Sequence, residues 1–374
     1  MSAASYNQIT IKKSALQHNY CLLNNRVGED TRILAMIKAD AYGHGMTDAA
    51  SAFHEVGCCD FGVAEINEGV RLRKSGLQGN IYIFLGFIAS NVSLFFEYDL
   101  IPIVYDIKSI EALSNEAIRR DTQISVHVKI DCGMTRLGVL PEDYNVFMVE
   151  LKRLPGIRIT GLASHFPKAD EQKSSQTLEQ FSSFEDIVAS QEYGSPSIKH
   201  TANSGGILYF PQTRCDMVRA GIALYGYYPD GLSGRDIERG DLLQPAMEFI
   251  TQIIQVKTVP AGVGVSYGHT YITETEITLA VLPIGYEDGF SRSLSNKGEV
   301  LIHGKRAKII GRICMNLCMV NVSHIENVKI GDKVTILGTQ HNATISGDEI
   351  ADWMGSISYE VLCLFGNNNE RKCI

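Results

Sequence analysis

The chain has 374 residues, of which 45% are hydrophobic and 20% charged, a composition that excludes a disordered or fibrous protein and allows a core large enough for two domains. Its net charge of −8 opposes binding to nucleic acid or to an anionic membrane surface, and no Lys/Arg run offers a local exception. The nine cysteines are an odd number, the first eight residues carry neither a basic start nor an apolar core, and no apolar stretch reaches spanning length. The expectation is a cytoplasmic protein with reduced thiols.

In chain order, eight short apolar runs lie near 33–37, 60–64, 81–85, 101–105, 124–131, 158–164, 198–202 and 216–220, with amphipathic segments such as 107–119 and 172–190 between them. This is the rhythm of repeated βα units. Eight parallel strands in about 220 residues point to an α/β fold of the (β/α)8 TIM-type barrel, with a doubly wound sheet as the competitor. The barrel is expected over 1–235. The turn residues of Pro229–Arg235 fit a domain boundary, or equally a surface loop of one domain.

From about residue 240 the pattern alternates like strands over 247–256 and 278–283, with further strands at 299–303, 306–310, 313–322 and 333–337 and no long helical period. The expectation for 236–374 is a mainly β C-terminal domain. Cys314 and Cys318 are spaced like half a metal site, but no second Cys/His pair accompanies them; they read as small core residues on a strand, and no metal is expected.

The run Arg32–Ile37 is short, β-branched and almost uninterrupted in apolarity, as in a strand buried on both faces of a parallel sheet. Lys38 then sits at its carboxyl end, the edge where ligands bind in such folds. A lysine there can lose hydration, titrate lower and form a Schiff base; the alternative is a solvated strand-end lysine.

The stretch Lys38-Ala39-Asp40-Ala41-Tyr42-Gly43-His44-Gly45 resembles the cofactor-lysine signature of the pyridoxal-phosphate-dependent alanine racemases. Seven further stretches agree with it in the family's order: Lys129–Gly138, Ser164-His165-Phe166, Ala202–Gly206, Val218–Gly226, Val265–Gly268, Gly285–Gly289 and Gly311–Asn316. The resemblance covers nearly the whole chain.

It implies an isomerase that interconverts L- and D-alanine on pyridoxal 5'-phosphate and supplies D-alanine for cell-wall peptidoglycan. Racemisation needs a base on each face of the α-carbon. The resemblance gives Lys38 one face and Tyr267 the other. A free tyrosine titrates near about pH 10, so its neighbours must favour the phenolate or share its proton, and His165 matches the family's partner for that task. Arg219 resembles the arginine facing the pyridine nitrogen. As an always-charged donor it leaves that nitrogen unprotonated and the electron sink weak, which favours reprotonation at the α-carbon. Asn203, Ser204, Gly221 and Ile222, after strands seven and eight, match the phosphate loops, and Tyr42 and Tyr359 the phosphate-binding tyrosines. Arg136 resembles the arginine that orients the substrate carboxylate.

Lys129 matches a lysine that is carbamylated in many relatives; unmodified, it would repel Arg136 unless another anion lay between them. Tyr286 and Met315, with Tyr359, match residues that narrow the pocket for alanine, and Arg292 and Arg312 belong to the outer corridor. The resemblance further implies a homodimer in which the partner's second domain brings Tyr267, Tyr286 and Met315. The chain departs from the family at Asn316, where aspartate is usual, at Cys132, at Pro167-Lys168 and in its tail after Tyr359. Alternatives are a serine or broad-specificity racemase, a non-catalytic cofactor-binding protein and a decarboxylase of related fold. The retained second domain, with Tyr267, weighs against the cofactor-binding protein, and Tyr267 with Arg219, where related decarboxylases use an acidic residue, weighs against the decarboxylase.

Overall fold

A computed structural model describes residues 5–190, 198–231 and 242–374. They fall into two compact units, one spanning Leu16–Ala41 and Met46–Leu243, the other taking the residues through Ala15, Tyr42–Gly45 and Gln244–Ile374. The boundary expected at 235 lies outside the described residues.

The first strand, β1 (Gln8–Ile11), buries Ile9 and Ile11. It does not join the domain in which the 1–235 boundary placed it. Instead it runs antiparallel to Met247–Gln252 and parallel to the last strand, Arg371–Cys373. A four-residue strand carries no mark of its partner, and this pairing is made across the length of the chain.

The eight apolar runs become eight strands: β2 (Arg32–Met36), β3 (Asp60–Val63), β4 (Asn80–Ile83), β5 (Leu100–Val104), β6 (Ile124–Lys129), β7 (Ile157–Ala163), β8 (Ile198–His200) and β9 (Met217–Ala220). They are parallel and ordered β8-β7-β6-β5-β4-β3-β2-β9. The Arg219 N–H donates to Ala202 O at 2.9 Å beside the remaining seam. Helices such as Ile107–Arg119 and Ser175–Ala189 follow the strands, so this is the TIM-type barrel and not a doubly wound sheet.

Its amino-terminal edge is tied by a buried carboxylate. Asp60, 3% exposed, accepts from Arg32 Nε at 2.9 Å and from its Nη2, from Asn80 Nδ2 at 2.8 Å and from the Tyr82 hydroxyl at 3.2 Å. Arg32, Asp60 and Asn80 open β2, β3 and β4, so one buried charge, satisfied by several donors, ties three strand starts together. Inside the barrel His127 of β6 packs on Gly161 of β7, where a Cβ would lie 2.5 Å from the imidazole.

In the second unit one sheet runs Lys305–Lys308, Glu299–Ile302, Lys333–Gln340, Met247–Gln252, β1, Arg371–Cys373, with Ala343–Ile345 on Lys333–Gln340; another joins Gln255–Val259, Ile277–Leu282 and Cys318–Asn321. The single strand expected over 247–256 is two. The chain changes sheets between Ile253, whose N–H donates to Asp332 O, and Ile254, whose N–H donates to Val281 O. Only Cys318–Asn321 of the run 313–322 is a strand, so Cys314 lies off it and Cys318 is buried on it. Two helices, Gly347–Met354 and Ser358–Asn368, appear where no helical period was read. The first is held locally, by the Ser346 Oγ accepting from the Glu349 N–H and by Gly355 in the left-handed conformation after it. Gly43 and Gly366 meet backbone to backbone, since a Cβ on Gly366 would lie 1.8 Å from Gly43 O. Among the described residues no helix is long and apolar enough to cross a membrane, and no group of three His, Cys, Asp or Glu is placed to hold a metal.

Gly161→Val should overpack the barrel against His127 and lower stability by about 1–3 kcal/mol, read as a fall in the urea midpoint. An unchanged midpoint would mean that His127 moves aside without cost.

Candidate active site

Strand β2 delivers Lys38 to the carboxyl mouth. The Ile37 N–H still donates to Gly62 O at 2.8 Å, and Lys38 follows, half-buried. The backbone then turns the wrong way for L-residues: Ala39 (φ 52°, ψ 48°), Asp40 (52°, 47°), Ala41 (57°, 51°) and Tyr42 (φ 53°) are successive left-handed positions. The left-handed turn is therefore made by four non-glycine residues ahead of Gly43 and Gly45. Each such residue costs about 1–2 kcal/mol, and strain of this kind persists only where the surroundings over-determine it.

At the end of β9, Arg219 is 5% exposed. Its Nη1 donates to His200 O at 2.7 Å and to His200 Nδ1 at 2.9 Å; its Nη2 donates to Ser164 O at 2.5 Å, Thr201 O at 2.9 Å and His165 Nδ1 at 3.0 Å. Among the described residues nothing accepts from its Nε–H. Burial, then Arg136, draws its pKa down to about 10, so it remains a cation at neutral pH. Arginine only donates, so both histidines must present a bare Nδ1 and carry their proton on Nε2. Burial first, then Arg219, Arg136, Lys129 and Lys38, holds His165 well below the usual imidazole range. It is thus neutral, with an Nε2–H to give. The His200 Nε2–H in turn meets His127 Nδ1 at 2.8 Å. His200 and His127 were missed in the sequence, where each is one histidine in a β-run. Barrel closure brings His200 of β8 beside Arg219 of β9, and His127 of β6 reaches the arginine only through His200.

Lys129 ends β6 and is 7% exposed. Burial, Arg219 and Arg136, with a smaller effect of Lys38 and against the pull of Asp131, bring its pKa down to about 8. The exposed Arg136 lies on the loop beyond it. Asp131 shapes that loop, accepting from the N–H groups of Gly133 (3.0 Å), Thr135 (2.9 Å) and Arg136 (2.8 Å); these bonds, together with that of Met134, hold its carboxyl below the usual range against burial. Asp131 was also missed, although an aspartate ahead of a Gly-x-Thr turn is a known loop-capping pattern.

Beyond β8, Asn203 caps the helix Ser204–Tyr209, its Oδ1 accepting from Gly206 N at 3.1 Å. The Ser204 Oγ accepts from Gly221 N at 2.9 Å and Ala223 N at 3.3 Å, which leaves its hydroxyl proton to donate elsewhere. Among the described residues nothing accepts from the buried N–H groups of Ser204, Gly205 and Ile222. Buried backbone donors are nearly always paired, so this cluster fits an anion such as a phosphate, and Lys38, Lys129, Arg136 and Arg219 add positive charge around the mouth.

In the second unit the rings of Tyr42 and Tyr359 lie 5.9 Å apart. Burial, then Tyr359 and Cys363, pushes the Tyr42 phenol up, keeping it a neutral donor. Tyr267 is 71% exposed, Met315 55% and Tyr286 44%, and their loops are knitted together. The Ser266 Oγ donates to Arg312 O at 2.6 Å, the Tyr286 N–H to Cys314 O at 3.1 Å, the Glu287 N–H to Met315 O at 3.1 Å and the Ile313 N–H to Ser295 Oγ at 3.0 Å, three residues beyond Arg292. Asn316 Nδ2 donates to Glu287 Oε2 at 2.9 Å. The structure therefore gathers Lys38, Lys129, Arg136, His165, Asn203, Ser204, Arg219, Gly221 and Ile222 in the barrel unit and the tyrosines, Met315, Arg292 and Arg312 in the other.

A strand-end lysine, a buried donor-only arginine and free amides after the last two strands define a barrel enzyme of the pyridoxal-phosphate class. Family models agree: "Alanine racemase, N-terminal domain" matches residues 11–229 and "Alanine racemase, C-terminal domain" residues 246–373. The chain is 39% identical over 355 residues to an alanine racemase of Halothermothrix orenii, covering 94% of this chain and 93% of that one. It superposes on the crystal structure of alanine racemase from E. faecalis with a TM-score of 0.90 at 32% identity, over 98% of both chains. On that from Bartonella henselae, which has covalently bound pyridoxal phosphate, the TM-score is 0.89 at 27% identity, over 99% of this chain and 100% of that one. The chain belongs to the alanine racemase family.

The lowered pKa of Lys129 carries a stability consequence. Below about pH 8 the folded chain buries its charge; as pH rises from there toward the ordinary lysine range, the folded state sheds its proton while the unfolded state keeps it, and stability rises. Lys129→Met should therefore be the more stable form at pH 6 in carbonate-free buffer, with its advantage shrinking above pH 8, as followed by urea midpoints. A constant gap across that range would contradict the burial of a titrating amine.

Proposed function

We propose that the chain racemises alanine by a two-base mechanism in which Lys38 and Tyr267 serve opposite faces of the α-carbon. The reaction is the interconversion of L- and D-alanine, an isomerisation that depends on pyridoxal phosphate, and the D-alanine formed would supply peptidoglycan in the cytoplasm. The observation that carries the assignment of residues is the Arg219 guanidinium, with both terminal nitrogens engaged and its Nε–H left over.

The residues fit the cofactor. Lys38 would hold it covalently, Arg219 would donate to its ring nitrogen, and the Ser204 hydroxyl with the N–H groups of Ser204, Gly205 and Ile222, after the cap residue Asn203, would hold the phosphate with Tyr42 and Tyr359; the Gly221 N–H, expected to join them, is engaged by the Ser204 Oγ instead. When bound, the cofactor supplies an electron sink that acidifies the α-C–H of the amino acid.

The chain's own groups do the rest. The Lys38 amine, once the substrate amino group has displaced it from the cofactor, would take or return the proton on one face. Tyr267 does so on the other, and the neutral His165, whose only proton is on Nε2, can donate to the phenolate oxygen and so stabilise it. Arg136 orients the substrate carboxylate. Lys129, part of whose population is a free amine near neutral pH, can add carbon dioxide; the carbamate would replace a cation with an anion beside Arg136 and hold its guanidinium.

Tyr267, Tyr286 and Met315 expose large side chains to solvent in the single chain, which supports a homodimer in which the partner's second domain closes the barrel mouth. Those residues narrow the pocket to alanine, and Arg292 and Arg312 line the approach, where positive charge draws in a carboxylate.

Tyr267→Phe should keep the absorbance of the lysine-bound cofactor and lose racemisation by roughly 10²–10⁴-fold, the contribution of a positioned general base. Normal racemisation by that variant would remove the two-base assignment. The activity itself is read by α-proton exchange of L-alanine and L-serine in deuterated water, followed by chiral analysis. Alanine should exchange and racemise far faster than serine, and no exchange with either would leave only a cofactor-binding protein.

A further inference from the structure

The left-handed turn after Lys38 has a partner outside the site already assigned. Glu68 is the third residue of the helix Ile66–Lys74, where its carboxylate completes a capping box with Glu65. For that task one oxygen suffices: Oε2 accepts from Glu65 N at 3.1 Å and from Ala64 N at 2.8 Å. The other oxygen reaches across to the preceding βα loop, where Oε1 accepts from the Ala39 N–H at 2.8 Å. Nothing in helix capping calls for this third bond. One turn further along the same helix, the Arg71 Nη2 donates to Asp40 Oδ1 at 2.7 Å, and that oxygen also accepts from Met46 N at 3.0 Å. Two successive residues of the strained turn are thus held by one helix face.

We propose that Glu68, assisted by Arg71, is a positioning residue that clamps the Ala39–Tyr42 turn in its left-handed form and thereby aims Lys38 at the barrel mouth. The turn begins at the residue joined to Lys38, so holding it in place holds the peptide that anchors the lysine at the end of the strand. None of Ala39, Asp40, Ala41 and Tyr42 is glycine, so the conformation is not intrinsic to the segment and must be imposed. A carboxylate is suited to do so, because charge-assisted bonds to backbone N–H groups are stronger than neutral ones and directional. This inference rests on the assignment of Lys38 as the cofactor lysine.

The test uses the full-length chain titrated with pyridoxal phosphate, read by the absorbance of the lysine-bound cofactor and by borohydride trapping with mass mapping of the labelled peptide. In the wild type Lys38 should carry the label. Glu68→Ala should raise the half-saturating cofactor concentration by roughly tenfold or more, the effect of losing a charged hydrogen bond, and lower kcat with little change in KM for alanine. Glu68→Gln, which keeps one carbonyl oxygen, should fall between, and serves if the alanine variant does not fold. The discriminating variant is Ala39→Gly in the Glu68→Ala background. Glycine adopts left-handed angles without steric cost and should restore part of the cofactor binding, whereas it cannot mend a lost helix cap. An unchanged cofactor midpoint in both Glu68 variants, or a loss that Ala39→Gly leaves untouched, overturns the clamp. Absence of label on Lys38 in the wild type removes the cofactor-lysine assignment and the clamp with it.

Discussion

A buried guanidinium that, among the described residues, meets only neutral acceptors constrains the chemistry at the mouth of this barrel. Among the described residues Arg219 is satisfied by three carbonyl oxygens and two imidazole nitrogens, all neutral acceptors. Its charge is therefore left to act on whatever the site holds. Because arginine cannot accept, it also settles the protons around it: His165 and His200 must be bare at Nδ1. The His200 Nε2–H then points at His127 Nδ1 and sets a third tautomer deeper in the barrel. A carboxylate in place of those acceptors would neutralise the cation and loosen this ordering.

The opposite end of the barrel uses the same physics with the signs reversed. Asp60 is a buried anion that gathers Arg32, Asn80 and Tyr82 where β2, β3 and β4 begin. Charge is thus spent on cohesion at the amino-terminal edge and kept available at the carboxyl edge. That division matches the general one in parallel barrels, where stability and chemistry occupy opposite faces.

Both proposed bases adjoin strained backbone. Lys38 precedes four left-handed residues, and Tyr267 follows Ser266, whose φ of 62° and ψ of −170° lie in a region ordinarily left to glycine. Such conformations hold only where neighbouring groups outweigh their cost. Glu68 and Arg71 supply that at the first turn; at the second, the Ser266 Oγ is tied to Arg312 O. Rigid presentation of a proton-transfer group and local strain go together at both positions.

The eight barrel strands were legible from residue order because each is a short apolar run bounded by polar turns, and in a parallel sheet both faces of every strand are buried. The place of Lys38 at a strand end was legible from the apolar run before it, whereas Arg219 and His165, and the chemistry proposed for all three, came from the run of family motifs. The second domain was less legible. The break at Ile253–Ile254 leaves no local mark, since both residues are apolar whichever sheet they join. Helices as short as Gly347–Met354 show too few turns to establish a period against the surrounding strands. Asp131 was readable in principle, since the N–H groups it accepts from, on Gly133, Thr135 and Arg136, lie within five residues of it; Glu68, His127 and His200 could not be read at all, because their roles consist of partners brought near by the folded chain. Residue order thus decided which segments are buried and which side chains stand at strand ends, both of which follow from short-range pattern. Folding in space decided that β1 pairs with the last strand, which nitrogen of each histidine is protonated and how far the Lys129 charge is suppressed. These depend on long-range pairing and on electrostatic neighbours that no local stretch of sequence contains.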